Sequence, residues 1–136
     1  MILVDTNVLA YLLIDGEHTD DARKLFERDS DWRSESFILV EFSNVLVRYV
    51  ATGKLREDEA RRLLARAENF LQGKLLTASH VQALATAAAH GTTAYDARYL
   101  AVAQNFAGKK LVTEDKRLRL AAPALTQSIA EALASA

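Results

Sequence analysis

The chain contains no cysteine. That absence excludes disulfides, thiolate nucleophiles and zinc–thiolate sites, and it suits a reducing compartment. Metal chemistry here has to use oxygen or imidazole ligands. Excess positive charge is missing too: the formal net charge of the 136 residues is -1. No protein-wide field therefore gathers phosphates, and any phosphate binding must be local. No apolar run approaches the roughly 20 residues of a membrane helix. The opening Met1-Ile2-Leu3-Val4 meets Asp5 too soon for a secretory signal. A soluble, cytoplasmic protein is expected. The sequence also lacks repeats, linkers, low-complexity segments, a glycine-rich phosphate loop and a Ser-His-Asp pattern.

What is present is apolar. Half of the residues are hydrophobic, enough for one core in one domain spanning residues 1–136. Ile2 to Val4 reads as a buried strand that ends where Asp5 emerges, followed by a helix from about Asn7 to Ile14 and a second over Asp20 to Arg28. Trp32 to Ser34 reads as a weak strand. The segment from Phe37 to Ala51 is apolar nearly all round, as a central helix or a subunit interface is, and Gly53 closes it. Glu57 to Gln72 is an amphipathic helix, and Leu75-Leu76 a short strand. Helices follow over Ser79 to Ala89 and Thr93 to Phe106, then a strand over Lys110 to Thr113 and a short helix from Asp115 to Ala121. Leu125 to Ile129 fits either an edge strand or the start of a terminal helix. Short buried strands alternating with helices predict an α/β fold, a short parallel sheet flanked by helices.

In parallel sheets, ligands bind beyond the carboxyl ends of the strands. Two acids stand there, Asp5 after Ile2-Leu3-Val4 and Asp115 after Leu111-Val112-Thr113. Each also suits a helix N-cap. Asp96 has a similar local role, since Thr93-Ala94-Tyr95-Asp96 has the form of a capping box. Glu41 is different. It interrupts the most apolar helix, where an unpartnered carboxylate is unfavourable, and helical spacing gives it one face with Asn44 and Arg48. A polar stripe reaching solvent, or an interaction with Arg48, is the local alternative. Glu35 in Ser34-Glu35-Ser36 is the competing acid nearby, expected to be simply exposed.

Taken together, the four acids are all explained by a shared pocket. Carboxylates ~4 Å apart repel by about 4 kcal/mol at an effective dielectric near 20, so a cluster needs a cation or shared protons. An all-oxygen site favours Mg²⁺ or Mn²⁺, and such an ion suits phosphodiester hydrolysis. The three histidines do not compete: His18 lies in a loop, and His80 and His90 at the ends of one helix. Basic residues occur as Arg61-Arg62-Arg66, a solvated face, and as Lys116-Arg117-Arg119 beside Asp115. Lys116 and Arg117, with Arg98 near Asp96, are candidates for contacts with a nucleic-acid backbone.

The motifs resemble those of the PIN-domain nucleases, and in size and layout the VapC-type toxins of bacterial and archaeal toxin–antitoxin pairs. The likeness is carried by Val4-Asp5-Thr6-Asn7-Val8-Leu9, Glu41-Phe42-Ser43-Asn44-Val45-Leu46, Tyr95-Asp96-Ala97-Arg98-Tyr99-Leu100-Ala101 and Leu111-Val112-Thr113-Glu114-Asp115. It implies a three-layer fold, Mg²⁺ or Mn²⁺ held by Asp5, Glu41, Asp96 and Asp115, and support from Thr6, Asn7 and Thr113. It also implies an RNA substrate, a homodimer and a small inhibitory antitoxin. Glu114 competes with Asp115 for its role, because a one-residue shift in the turn exchanges them. Two other classes stay in view. A receiver-like phosphorylation switch also holds Mg²⁺ at strand ends, but it needs adjacent acids after its first strand, where this chain has Asp5-Thr6-Asn7. A PIN-fold binding module without catalysis would use the apolar helix as its interface.

Overall fold

A computed structural model describes residues 1–135. Its centre is β1 (Ile2–Val4), whose Leu3 and Val4 are buried between neighbours on both sides. One neighbour is β2 (Trp32–Glu35) and the other β4 (Leu111–Val112), both parallel to it. β3 (Leu75–Leu76) adds outside β2, and β5 (Thr126–Gln127) outside β4. The result is one parallel sheet in the order β3-β2-β1-β4-β5. Consecutive parallel strands require crossovers, and the helices supply them. They flank the sheet in a three-layer α/β arrangement, as expected.

The helices are α1 (Thr6–Leu13), α2 (Thr19–Arg28), α3 (Ile38–Ala51), α4 (Glu57–Phe70), α5 (His80–His90), α6 (Ala94–Gln104), α7 (Lys116–Ala121) and α8 (Ile129–Ala134). Among the described residues no helix is long and apolar enough to cross a membrane. Boundaries differ from the sequence reading by a residue or two, for identifiable reasons. Ser79 and Thr93 cap α5 and α6 from outside, each accepting a backbone N–H three residues on. Gly91 ends α5 in the left-handed region at φ 67°. The undecided segment Leu125 to Ile129 does both things: Thr126–Gln127 is an edge strand, and Ser128 then caps α8 through a capping box with Glu131.

The core lies between sheet and helices. Leu3, Leu9, Leu25, Trp32, Ile38, Phe42, Leu71, Leu100 and Leu111 are fully buried within it. Trp32 sits edge-on to Phe26 and Phe70, which stand edge-on to each other. The apolar α3 divides its hydrophobes. Ile38, Phe42, Val45 and Leu46 face inward, whereas Val40 and Val47 are 59 % and 63 % exposed.

This division predicts two different costs on one helix. Phe42→Ala is expected to lower stability by about 3–5 kcal/mol, and Val40→Ala to change it by less than about 0.5 kcal/mol. Urea unfolding of the two variants checks it, and similar losses in both contradict the packing described.

Candidate active site

Asp5 is the first residue beyond β1. Its side chain does what its position suggests and caps α1, with Oδ1 accepting the Val8 N–H at 3.1 Å. The second oxygen is held as well. Thr113, just past β4, donates its hydroxyl to Asp5 Oδ2 at 2.5 Å, and the same hydroxyl oxygen accepts the Asp115 N–H at 3.1 Å. One buried threonine thus ties together the two acids that leave the central strands. Asp115 in turn caps α7, its Oδ1 accepting from Arg117 and Leu118.

Glu41 comes to the same place from α3. Its Oε1 accepts the Thr6 hydroxyl at 3.0 Å and the Tyr99 hydroxyl at short range, and the two hydroxyls are themselves 3.0 Å apart. Three oxygens share two hydroxyl protons, so one edge of the triangle is always a contact without a proton. The local alternative, an interaction between Glu41 and Arg48, does not form among the described residues; Glu41 is anchored to α1 and α6 instead. Asp96 lies in the first turn of α6. The Thr93 half of the predicted capping box is present, with Thr93 Oγ1 accepting the Asp96 N–H at 3.1 Å. No hydrogen bond holds the Asp96 carboxylate to a backbone N–H among the described residues.

Asp5, Glu41, Asp96 and Asp115 line one open cleft of about 780 Å³, with Thr6, Asn7, Asn44, Arg48 and Tyr99 among its walls. None of the four is in an ion pair among the described residues. The electrostatics follow. Burial pushes the Asp5 carboxyl up from its ordinary 3.8 to about 6, although the Thr113 and Val8 bonds pull it down; the Glu41 and Asp115 charges add to the rise. Asp96 is also raised, first by burial and then by Asp115 and Glu41, with Thr93 and Arg117 opposing. Burial and the bond to Glu41 hold the Tyr99 hydroxyl well above its ordinary range, so it stays protonated and donating. As the side chains stand, no three His, Asp or Glu groups among the described residues gather closely enough to share one ion.

Other candidates fall elsewhere. Thr113 is buried behind the cleft, and Glu114 turns to Arg119 at 3.2 Å, leaving the cleft to Asp115. Lys116 and Arg117 are exposed at the start of α7; Arg117 is close enough to act on Asp96. Arg98 does not line the cleft. Its guanidinium lies 2.8 Å from Glu35 Oε2, and Nε is buried without a partner. Glu35 itself corrects the expectation of exposure: it is 0 % exposed. Backbone N–H groups of Phe37 and Ala78 donate to it at 2.6 and 2.9 Å. It buries because β2 runs one residue longer than expected and carries it inward. Tyr99 was not singled out from sequence, though its place three residues after Asp96 puts both on one helix face.

The family model for the PIN domain matches residues 2–123. The chain belongs to the PIN-domain family. Among curated proteins it is 32 % identical over 127 residues to Ribonuclease VapC3 of Pyrobaculum aerophilum, covering 91 % of this chain and 96 % of that one. Among solved structures it resembles the crystal structure of PAE2754 from Pyrobaculum aerophilum. The TM-score is 0.75 at 24 % identity, over 97 % of this chain and 85 % of that one. At that identity the second likeness concerns the fold.

Two predictions follow from the charges. A carboxyl that holds its proton more tightly when folded opposes folding as pH rises from about 4 to about 6, and not below that window. The interval from 3.8 to about 6 corresponds to about 3 kcal/mol. In chelator, Asp5→Asn should therefore gain on the wild type by about that amount between pH 4 and 7 in denaturant titrations; a pH-independent difference contradicts the assignment. Removing Arg98 strands the Glu35 charge, so Arg98→Met is expected to destabilise by about 3–5 kcal/mol. Glu35→Gln added to it should recover part of the loss, and full additivity of the two losses contradicts the pair.

Proposed function

We propose that this chain is a divalent-metal-dependent endoribonuclease, the toxin of a toxin–antitoxin pair. The observation that carries the reading is the cleft itself: four carboxylates from four separate segments, none ion-paired among the described residues, with the charges of Glu41 and Asp115 raising the proton affinity of both Asp5 and Asp96. Such a set is electrostatically unfavourable in isolation, and hard oxygen donors fit Mg²⁺ or Mn²⁺. PIN-family membership and the likeness to a ribonuclease of the VapC type support RNA as substrate.

Asp5, Glu41, Asp96 and Asp115 would hold the metal, partly through its retained water shell, since no three of them converge on one point as the side chains stand. Glu41 Oε2 and Asp115 Oδ2 accept no hydrogen bond among the described residues, so these two acids each keep an oxygen for it. A bound divalent cation lowers the pKa of an attacking water and neutralises charge on the phosphate. The chain's own residues prepare that site. Thr113 fixes Asp5 from behind, and Thr6 with Tyr99 fixes Glu41, so neither carboxylate has to be ordered when the substrate arrives. Asn7 and Asn44 line the cleft with neutral polar groups, and Arg48 brings a cationic side chain to its wall. Lys116 and Arg117 stand outside it on α7, placed for the flanking RNA backbone. The protein is cytoplasmic in this reading. It forms a homodimer, for which the exposed Val81 and Leu84 on α5 offer apolar surface away from the cleft, and a small antitoxin inhibits it.

The purified protein is expected to cleave RNA with Mg²⁺ or Mn²⁺ and to stop in EDTA. Asp96→Asn should reduce the rate by on the order of 100-fold or more. Unchanged cleavage by that variant contradicts the reading. Thr113→Val, which deletes the hydroxyl behind Asp5 at constant volume, should weaken Mn²⁺ binding by about 10–100-fold in calorimetric titration.

A further inference from the structure

One exposed ring at the mouth of the cleft has no role so far. Tyr95, in the first turn of α6 and next to Asp96, is 61 % exposed, and its hydroxyl makes no hydrogen bond among the described residues. An exposed tyrosine alone means little. This one is stacked. The Phe37 ring lies against it with centroids 5.5 Å apart and planes within 21°, and both rings line the same cleft as the four acids.

The stack is anchored on both sides by one buried anion. Phe37 stands just before α3, and its N–H donates to Glu35 Oε1 at 2.6 Å. The other oxygen of Glu35 meets Arg98, three residues beyond Tyr95 on α6. The helix that carries Glu41 and the helix that carries Asp96 are thus held to the same carboxylate, each with an aromatic ring at its start. The helix starts that carry both rings are therefore held near those that carry the acids.

Chemistry narrows what such a platform takes. An anionic floor repels acidic groups that arrive without a cation. A flat aromatic face at its rim attracts a neutral planar ring, and the neighbouring exposed Val40 and Val47 extend the apolar rim. A substrate with a phosphate for the acids and a planar group one step away is a nucleotide chain. The planar group has to be free to stack, which bases inside a duplex are not. We propose that the Phe37–Tyr95 stack is a base-binding subsite that takes the base of an unpaired nucleotide flanking the scissile phosphate. Stacking recognises every base by its face, so the subsite selects single-stranded over paired RNA and sequence only weakly. This rests on the nuclease reading. It explains how a chain with no net positive charge retains RNA.

The test uses the full chain. Single-stranded RNA carrying a fluorescent purine analogue, and the same RNA annealed to its complement, are titrated in calcium into wild type, Tyr95→Phe and Tyr95→Ala; cleavage is then measured in Mn²⁺. Wild type and Tyr95→Phe should quench the analogue and bind alike. Tyr95→Ala should lose the quench and raise Kd and KM for single-stranded RNA about 5- to 150-fold, with kcat within about threefold, unchanged melting, and no effect on duplex. Single-stranded binding and quench as in wild type overturn the subsite, as does a Tyr95→Ala defect confined to binding a protein partner. Wild type that neither binds nor cleaves RNA overturns the nuclease reading and the subsite together. Cleavage by wild type that Tyr95→Ala matches overturns the subsite alone.

Discussion

The buried Asp5 carboxylate is the constraint around which the rest is arranged. It sits at the carboxyl end of the central strand, with one oxygen holding the start of α1 and the other held by Thr113 beyond the neighbouring strand. Burial there is unfavourable, and the surrounding donors offset only part of it. The fold accepts the strain because the same position is where a parallel sheet opens a crevice. Thr113 then passes the arrangement on to Asp115, and Thr6, the residue after Asp5, passes it to Glu41. Three of the four acids are thus a hydrogen-bonded extension of the central strand pair, and Asp96 joins them from the first turn of α6.

Much of this was legible in the sequence because strand ends announce themselves. Ile2-Leu3-Val4 and Leu111-Val112 are short, buried and branched, and the first polar residue after each strand segment marks the edge of the sheet. Asp5 could be placed from that alone; beyond Leu111-Val112 the first polar residue is Thr113, and the preference for Asp115 over Glu114 came from the family resemblance. Glu41 was conspicuous because a carboxylate interrupts an apolar helix. The helix-capping roles suggested for Asp5 and Asp115 are real, and they coexist with the cleft: a carboxylate has two oxygens, and capping occupies one.

Other features left no such trace. Glu35 has polar neighbours in sequence, so nothing in its local pattern distinguishes a solvated loop acid from a buried one. Its burial depends on Arg98, which lies 63 positions later and meets it only once α6 has packed against β2. For the same reason Arg98 reads as a free basic residue until its partner is known. Tyr99 resembles an ordinary core aromatic, and only the arrival of Glu41 from α3 gives its hydroxyl a purpose. Long-range pairs of this kind are set by tertiary packing, which local periodicity does not encode.

The sheet's outer strands have a consequence for how this molecule can be approached. β3 and β5 are two residues each, and helical or capped segments follow within a few positions. An edge that short exposes too few backbone donors and acceptors to template an added strand. Association by strand addition is therefore closed to the protein along both borders, which also guards it against open-ended polymerisation. Whatever holds a second chain has to meet side chains on helix faces or in the cleft, where sequence, and so selectivity, resides.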